Sequence, residues 1–191
     1  MTRISQTVLA IDTSNQLTLA ILETDGIHES LALEHSEDVG RAHAEIILER
    51  IQALFARANL RPRADLIAIG TGPGSYTGLR VGASLGLGLA RAWNAQVIGV
   101  PSLESIAVTR AGRVSVSMDA RRGNVYSASY LVQSGTILEV LEPIAKRTLE
   151  GFVHEEIWLR DQIVNGLEVA RLGFKKSSSP ERDSGLEVMY L

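Results

Sequence analysis

The 191-residue chain contains no cysteine. Disulfides, thiolate zinc sites, iron–sulfur clusters and cysteine nucleophiles are excluded together. Lysine does not occur before Lys146, so no phosphate-directed lysine follows any glycine-rich turn in the first half. No two of the histidines (His28, His35, His43 and His154) stand four residues apart, so the two-histidine metal motif of a helix face is missing. No stretch of about 18 apolar residues occurs, and the apolar run before Asp12 is too short for a signal peptide. These absences predict a cytoplasmic protein with no membrane partner. Charge of neither sign dominates: 19 Lys and Arg stand against 22 Asp and Glu. A chain that grips many phosphates alone is normally basic, and the one adjacent arginine pair, Arg121-Arg122, is a small footprint for nucleic acid.

What is present suits a globular α/β protein. Hydrophobic residues are 45% of the chain, enough for a core without staples. Val8–Ile11 is a continuous apolar run, the mark of a strand buried on both faces. Leu17–Leu22 and Ile27–Leu33 follow, separated by Asp25-Gly26, a strong hairpin signal. Residues 41–58 change period: Ala44, Ile47, Leu48, Ile51, Leu54, Phe55 and Ala58 line one helix face, with Ile46 and Ala53 off that stripe. Leu66–Ile69 predicts a buried strand ending in the glycine-rich run 70–78. A second helix over Leu79–Trp93 carries Gly78, Gly82, Gly86 and Ala90 every four residues. Each interior glycine costs about 1 kcal/mol against alanine, so such a ridge implies a backbone packed very close to it. Val97–Val100 is a fifth strand. Three antiparallel strands, helix, strand, helix, strand is the ribonuclease H-like arrangement, the unit of the actin-like ATPase fold. The pattern restarts at Val114–Met118, Asn124–Val132 and Ile137–Leu141, which predicts a mixed-sheet α/β protein of two lobes, residues 1–101 and a shortened 102–191. After Thr148 the signal fades, apart from a last short strand at Val188–Leu191.

Two constellations carry candidate chemistry. Asp12, Thr13 and Ser14 end the first strand, and Gly72, Gly74 and Ser75 lie in a strand-to-helix turn of the kind that offers N–H groups to an anion. Asp119 ends the first strand of the second half. Paired carboxylates there suggest magnesium beside a nucleotide; the plainer reading is that both aspartates cap turns. The turn is no Walker A loop, which needs Gly-Lys-Ser/Thr, and Thr13-Ser14-Asn15 lacks the glycine that would let a phosphate approach. An ATP-binding phosphotransferase using Asp12 and Asp119 is the alternative function, and a nuclease using Asp12 with Glu45 or Glu49 a third.

Five stretches in order, LAIDTS at 9–14, RAHAE at 41–45, GTGPGSYTGLRVG at 70–82, GVPSLESIA at 99–107 and MDARRGNVY at 118–126, resemble the TsaB family of tRNA threonylcarbamoyladenosine biosynthesis. The resemblance implies a non-catalytic paralogue of the transferase subunit TsaD, acting as a scaffold or activator. It implies a TsaD-like partner, a TsaE-like ATPase in the same complex, a homodimer when alone, and only indirect contact with tRNA. It places the partner interface on the first two helices, here at Arg41, His43, Ile46, Ala53, Gly78, Gly82 and Gly86. No cofactor is assigned to this chain; ATP and magnesium would belong to the partner or the shared interface. Asp12, Thr13, Ser14, Gly72, Gly74, Ser75 and Asp119 form a candidate vestigial nucleotide site.

Overall fold

The computed structural model describes residues 5–40, 42–179 and 186–189. In the first half, β1 (Gln6–Asp12), β2 (Leu17–Thr24) and β3 (Glu29–Glu37) form an antiparallel meander. Then come α1 (His43–Arg57), β4 (Leu66–Gly70), α2 (Tyr76–Trp93) and β5 (Gln96–Val100). The sheet order is β3-β2-β1-β4-β5, with β1, β4 and β5 parallel. α3 (Ser102–Ala107) leads into β6 (Gly112–Asp119), β7 (Asn124–Gln133), β8 (Thr136–Thr148), β9 (Ile157–Arg160) and α4 (Gly166–Ser177). Their sheet has the order β8-β7-β6-β9, with β9 parallel to β6. The second unit repeats the first with a loop in place of α1 and no counterpart of β5.

The two faces of the first sheet bury different side chains. Leu9, Ile11, Leu19, Ile21, Ile67 and Ile69 alternate onto the face covered by α1 and α2. Val8, Ala10, Ala20, Leu22, Leu66 and Ala68 face the other way, into a core shared with Val114, Val116, Ala128 and Tyr130 of the second sheet. Ala20, Ala10 and Ala68 sit in register across β2, β1 and β4, and α4 lies on these strands. A Cβ at Gly173 would crowd Ala68. Small residues on helix and sheet bring the two backbones close, so the helix buries its whole length.

Three expectations are corrected. The fading signal after Thr148 conceals β9, a four-residue strand, and α4, which buries Val169, Ala170 and Leu172 together with Gly166 and Gly173. Leu48 is not a core residue; it is 47% exposed. Val188 and Met189 are not strand: the segment runs alongside the first core, with Met189 N–H donating to Thr71 O at 2.9 Å, and Tyr190 and Leu191 lie outside the described residues.

Candidate functional site

Asp12 ends β1 and is 1% exposed. Its Oδ1 accepts from Ser14 N at 2.9 Å and Ser14 Oγ at 2.6 Å, and its Oδ2 accepts from Ser102 Oγ at 2.5 Å. Ser102 Oγ also accepts from Gly72 N at 3.1 Å. One serine at the start of α3 thus ties the Asp12 carboxylate to the glycine turn. Thr13 Oγ1 donates to Gly78 O at 2.7 Å, and Ser75 N donates to Ser14 O at 2.6 Å. Ser75 is the N-cap of α2, its Oγ accepting from Gly78 N at 3.2 Å, the usual way a helix start satisfies an orphan donor.

The glycines follow from this closure. A Cβ at Gly74 would overlap the carbonyl of Ser14, at Gly78 that of Thr13, at Gly82 the Thr13 hydroxyl, and at Gly86 the Ile69 side chain. The ridge is therefore turned toward this chain's own β1–β2 turn and β4. The expectation that Gly78, Gly82 and Gly86 meet a partner is corrected: all three are buried against the chain itself. Asp12, Thr13, Ser14, Gly72, Gly74 and Ser75 are brought together; the Ser14 and Thr13 carbonyls lie against Gly74 and Gly78, and Ser14 O takes the Ser75 N–H.

Asp119 stands exposed at the end of β6, in the other sheet. Its Oδ1 accepts from Arg121 N at 2.9 Å while its own N–H donates to Asp161 Oδ1 at 2.8 Å. Both aspartates thus accept a backbone N–H two residues on, the Asx-turn role weighed against magnesium in the sequence. These bonds give both carboxylates a turn-capping role, the plainer of the two readings. Among the described residues no group of three His, Asp or Glu side chains is placed to hold a metal ion.

The outward faces of α1 and α2 are a different surface. Ala53 is exposed, Ile46 half-buried against the core, and Leu48 and Leu87 are 47% and 48% exposed. Gly88 has open space beyond its Cα. Arg41 and the side chain of His43 lie outside the described residues. Leu87 was not singled out in the sequence, and Leu48 was assigned to the core stripe; both are apolar residues turned outward. On the far side of the molecule, a groove of about 570 Å³ lies between the β2–β3 turn and the end of α4. Arg171 stands in it, its Nε 2.7 Å from Glu29 Oε1, and this hydrogen-bonded guanidinium holds the Glu29 carboxyl below its ordinary range.

The topology and the closed glycine turn define a ribonuclease H-like, actin-like α/β protein. The family model for TsaD, tRNA N6-adenosine threonylcarbamoyltransferase, matches residues 32–153. The chain is 34% identical over 141 residues to the tRNA threonylcarbamoyladenosine biosynthesis protein TsaB of Bacillus subtilis, covering 71% of this chain and 59% of that one. It is 34% identical over 129 residues to the Escherichia coli TsaB, covering 64% and 54%. YeaZ from Pseudomonas aeruginosa superposes with a TM-score of 0.80 at 26% identity, covering 97% of this chain and all of that structure. The chain belongs to the TsaB family. It spans about half the length of the curated relatives it matches.

Proposed function

We propose that this chain is a non-catalytic subunit in the formation of threonylcarbamoyladenosine in tRNA, acting on a TsaD-like transferase through the outward faces of α1 and α2. The observation that carries the reading is the closure of the Asp12–Ser14 turn onto Gly74, Gly78 and Gly82. The residues that would cradle a nucleotide in a working member of this fold hold one another instead, and that leaves the chain a structural task. Leu48 and Leu87, with Ala53 and the exposed edge of Ile46, supply apolar contact area. The glycine ridge contributes from beneath, by holding α2 rigidly on β4. The same face would pair two copies when the transferase is absent. ATP and magnesium belong to the partner, to a TsaE-like ATPase, or to the shared interface, and the complex works in the cytoplasm.

Complementation tests this. In bacteria depleted of their own TsaB-type protein, expression of this chain should restore threonylcarbamoyladenosine in digested tRNA, read by mass spectrometry. A chain that is expressed and cooperatively folded, yet restores none of the nucleoside, contradicts the proposal.

A further inference from the structure

Positive charge is segregated in this chain. Between Ile51 and Leu103 the sequence carries five arginines and a single acid, Asp65, although the chain as a whole is at −3. Four of those arginines gather at one end of the first sheet. Arg57 is in the last turn of α1 and Arg91 in the last turn of α2. Arg61 and Arg63 lie in the loop that returns from α1 to β4. The two helix ends adjoin, because Phe55 and Trp93 meet edge to face with ring centroids 5.9 Å apart. All four arginines are exposed. Elsewhere Arg50, Arg113, Arg147, Arg160, Arg171 and Lys176 each have a carboxylate within 4.0 Å. Among the described residues none of these four has one, which they share with Arg80, Arg110, Arg121, Arg122, Lys146 and Lys175; what sets the four apart is that they gather at one end of the sheet. Asp65 itself accepts from Thr7 N at 2.9 Å.

Helix dipoles explain part of this, since a cation in the last turn is favoured there. They do not explain Arg61 and Arg63, which lie beyond the helix, nor the near absence of acids over half the first lobe. Several exposed guanidiniums gathered where the sequence supplies one acid, itself engaged by Thr7 N, are what a phosphate backbone recognises.

We infer that Arg57, Arg61, Arg63 and Arg91 form a docking surface for the phosphate backbone of RNA. The inference rests on the RNA-modification reading above and departs from the expectation of purely indirect contact with tRNA. The surface borders the α1–α2 face, so an RNA held by a partner on that face can run onto it. Four contacts on their own give weak, non-specific binding, in the range above about 1 μM at physiological salt, so the surface adds its grip mainly within the complex.

The test uses the purified chain and end-labelled bulk bacterial tRNA, with affinity read by fluorescence anisotropy between about 50 and 200 mM salt. Each phosphate contact contributes about 0.7–0.9 to the slope of log K against log salt. Four contacts therefore predict a loss of roughly fifty- to a hundred-and-fifty-fold over that range. The double variant Arg61→Ala/Arg63→Ala should lose only about tenfold, while Arg110→Ala/Lys175→Ala, exposed cations elsewhere, should behave as wild type. Equal salt slopes for all three proteins overturn the inference. So does binding to polyglutamate or to vesicles rich in phosphatidylserine that is stronger than tRNA binding and lost in the same double variant, because the face would then serve a protein or a membrane. Complementation by the wild-type chain separates this from the functional reading. Restored nucleoside with unresponsive slopes removes the RNA surface alone, and responsive slopes without restoration remove the functional reading alone.

Discussion

Substituting alanine at two glycines of α2, six residues apart, should move stability in opposite directions. At Gly82 a methyl group would overlap the Thr13 hydroxyl, with Thr13 Cγ2 at 3.3 Å blocking the alternative position. Thr13 is 1% exposed, and its Oγ1 is held at 2.7 Å by Gly78 O, so it cannot swing aside without losing a buried hydrogen bond. Overpacking costs about 1–3 kcal/mol and the lost bond about 1. Alanine's better helix propensity returns about 1 kcal/mol, leaving a net loss of roughly 1–3. For a chain of this size each kcal/mol is about 2–4 °C, so Gly82→Ala should melt roughly 2–12 °C below wild type. At Gly88 nothing lies within 4 Å of the added methyl, the overpacking vanishes, and Gly88→Ala should gain up to about 1 kcal/mol. Thermal and urea melts on both variants check this, with sedimentation alongside. A Gly82→Ala protein that melts like wild type but associates more weakly would return the ridge to the partner surface and refute the packing described here.

Three further outcomes follow from buried or paired polar groups. The Tyr130 hydroxyl is buried with no hydrogen-bond partner among the described residues, and burial, helped by Glu104, drives its phenol far above the ordinary value. Tyr130→Phe should therefore leave the melting temperature unchanged or raise it, and a loss above about 1 kcal/mol would reveal a partner for the hydroxyl. Asp12→Ala strands the Ser14 and Ser102 hydroxyls in the interior and should cost about 1–3 kcal/mol in a urea melt. Arg171 lowers the Glu29 carboxyl below its reference value of 4.5. Its contribution is thus complete above that pH and is lost as pH falls through the lower folded value. The pair is partly exposed, so the effect is at most about 1 kcal/mol, and Arg171→Met should flatten the acid limb of a melting-temperature profile; an unchanged limb would show that the pair does not act.

The first lobe was legible because its signals are large side chains at clear periods. Val8–Ile11 announces a strand buried twice over, and Ile47, Ile51, Leu54 and Phe55 announce a helix on its face. The glycine ridge announced a close approach but not its direction, since glycine says that something is near and nothing about what. The clue was Thr13-Ser14, two small polar residues without glycine, which fill a turn rather than open it. Asp12 and Asp119 read equally as metal ligands or as caps, because an Asx turn and a ligand need the same carboxylate at a strand end; the bonding partners decide. β9 and α4 went unread for a different reason. Ile157–Arg160 is four residues long, and the apolar face of α4, with Val169, Ala170 and Leu172, is short and stands between Gly166 and Gly173. The basic zone was readable all along, but only by counting acids over a window, because its arginines are scattered along the chain and converge when α1 and α2 end together.

On the proposed function, this chain acts through its helix face and not through a nucleotide site of its own. The direct measurement is the rate of tRNA threonylcarbamoyladenosine formation in a mixture reconstituted with a TsaD-type transferase, comparing three forms of this chain. Leu48→Glu/Leu87→Glu, which puts two charges on the outward faces of α1 and α2, should lower the rate at least tenfold while melting like wild type. Asp12→Asn, which keeps an acceptor at Oδ1 but removes the carboxylate, should support a rate within about twofold of wild type, because 1.4 kcal/mol is needed for a tenfold change and no reacting group depends on it. Full activity in the leucine variant together with loss of activity in Asp12→Asn would contradict the account.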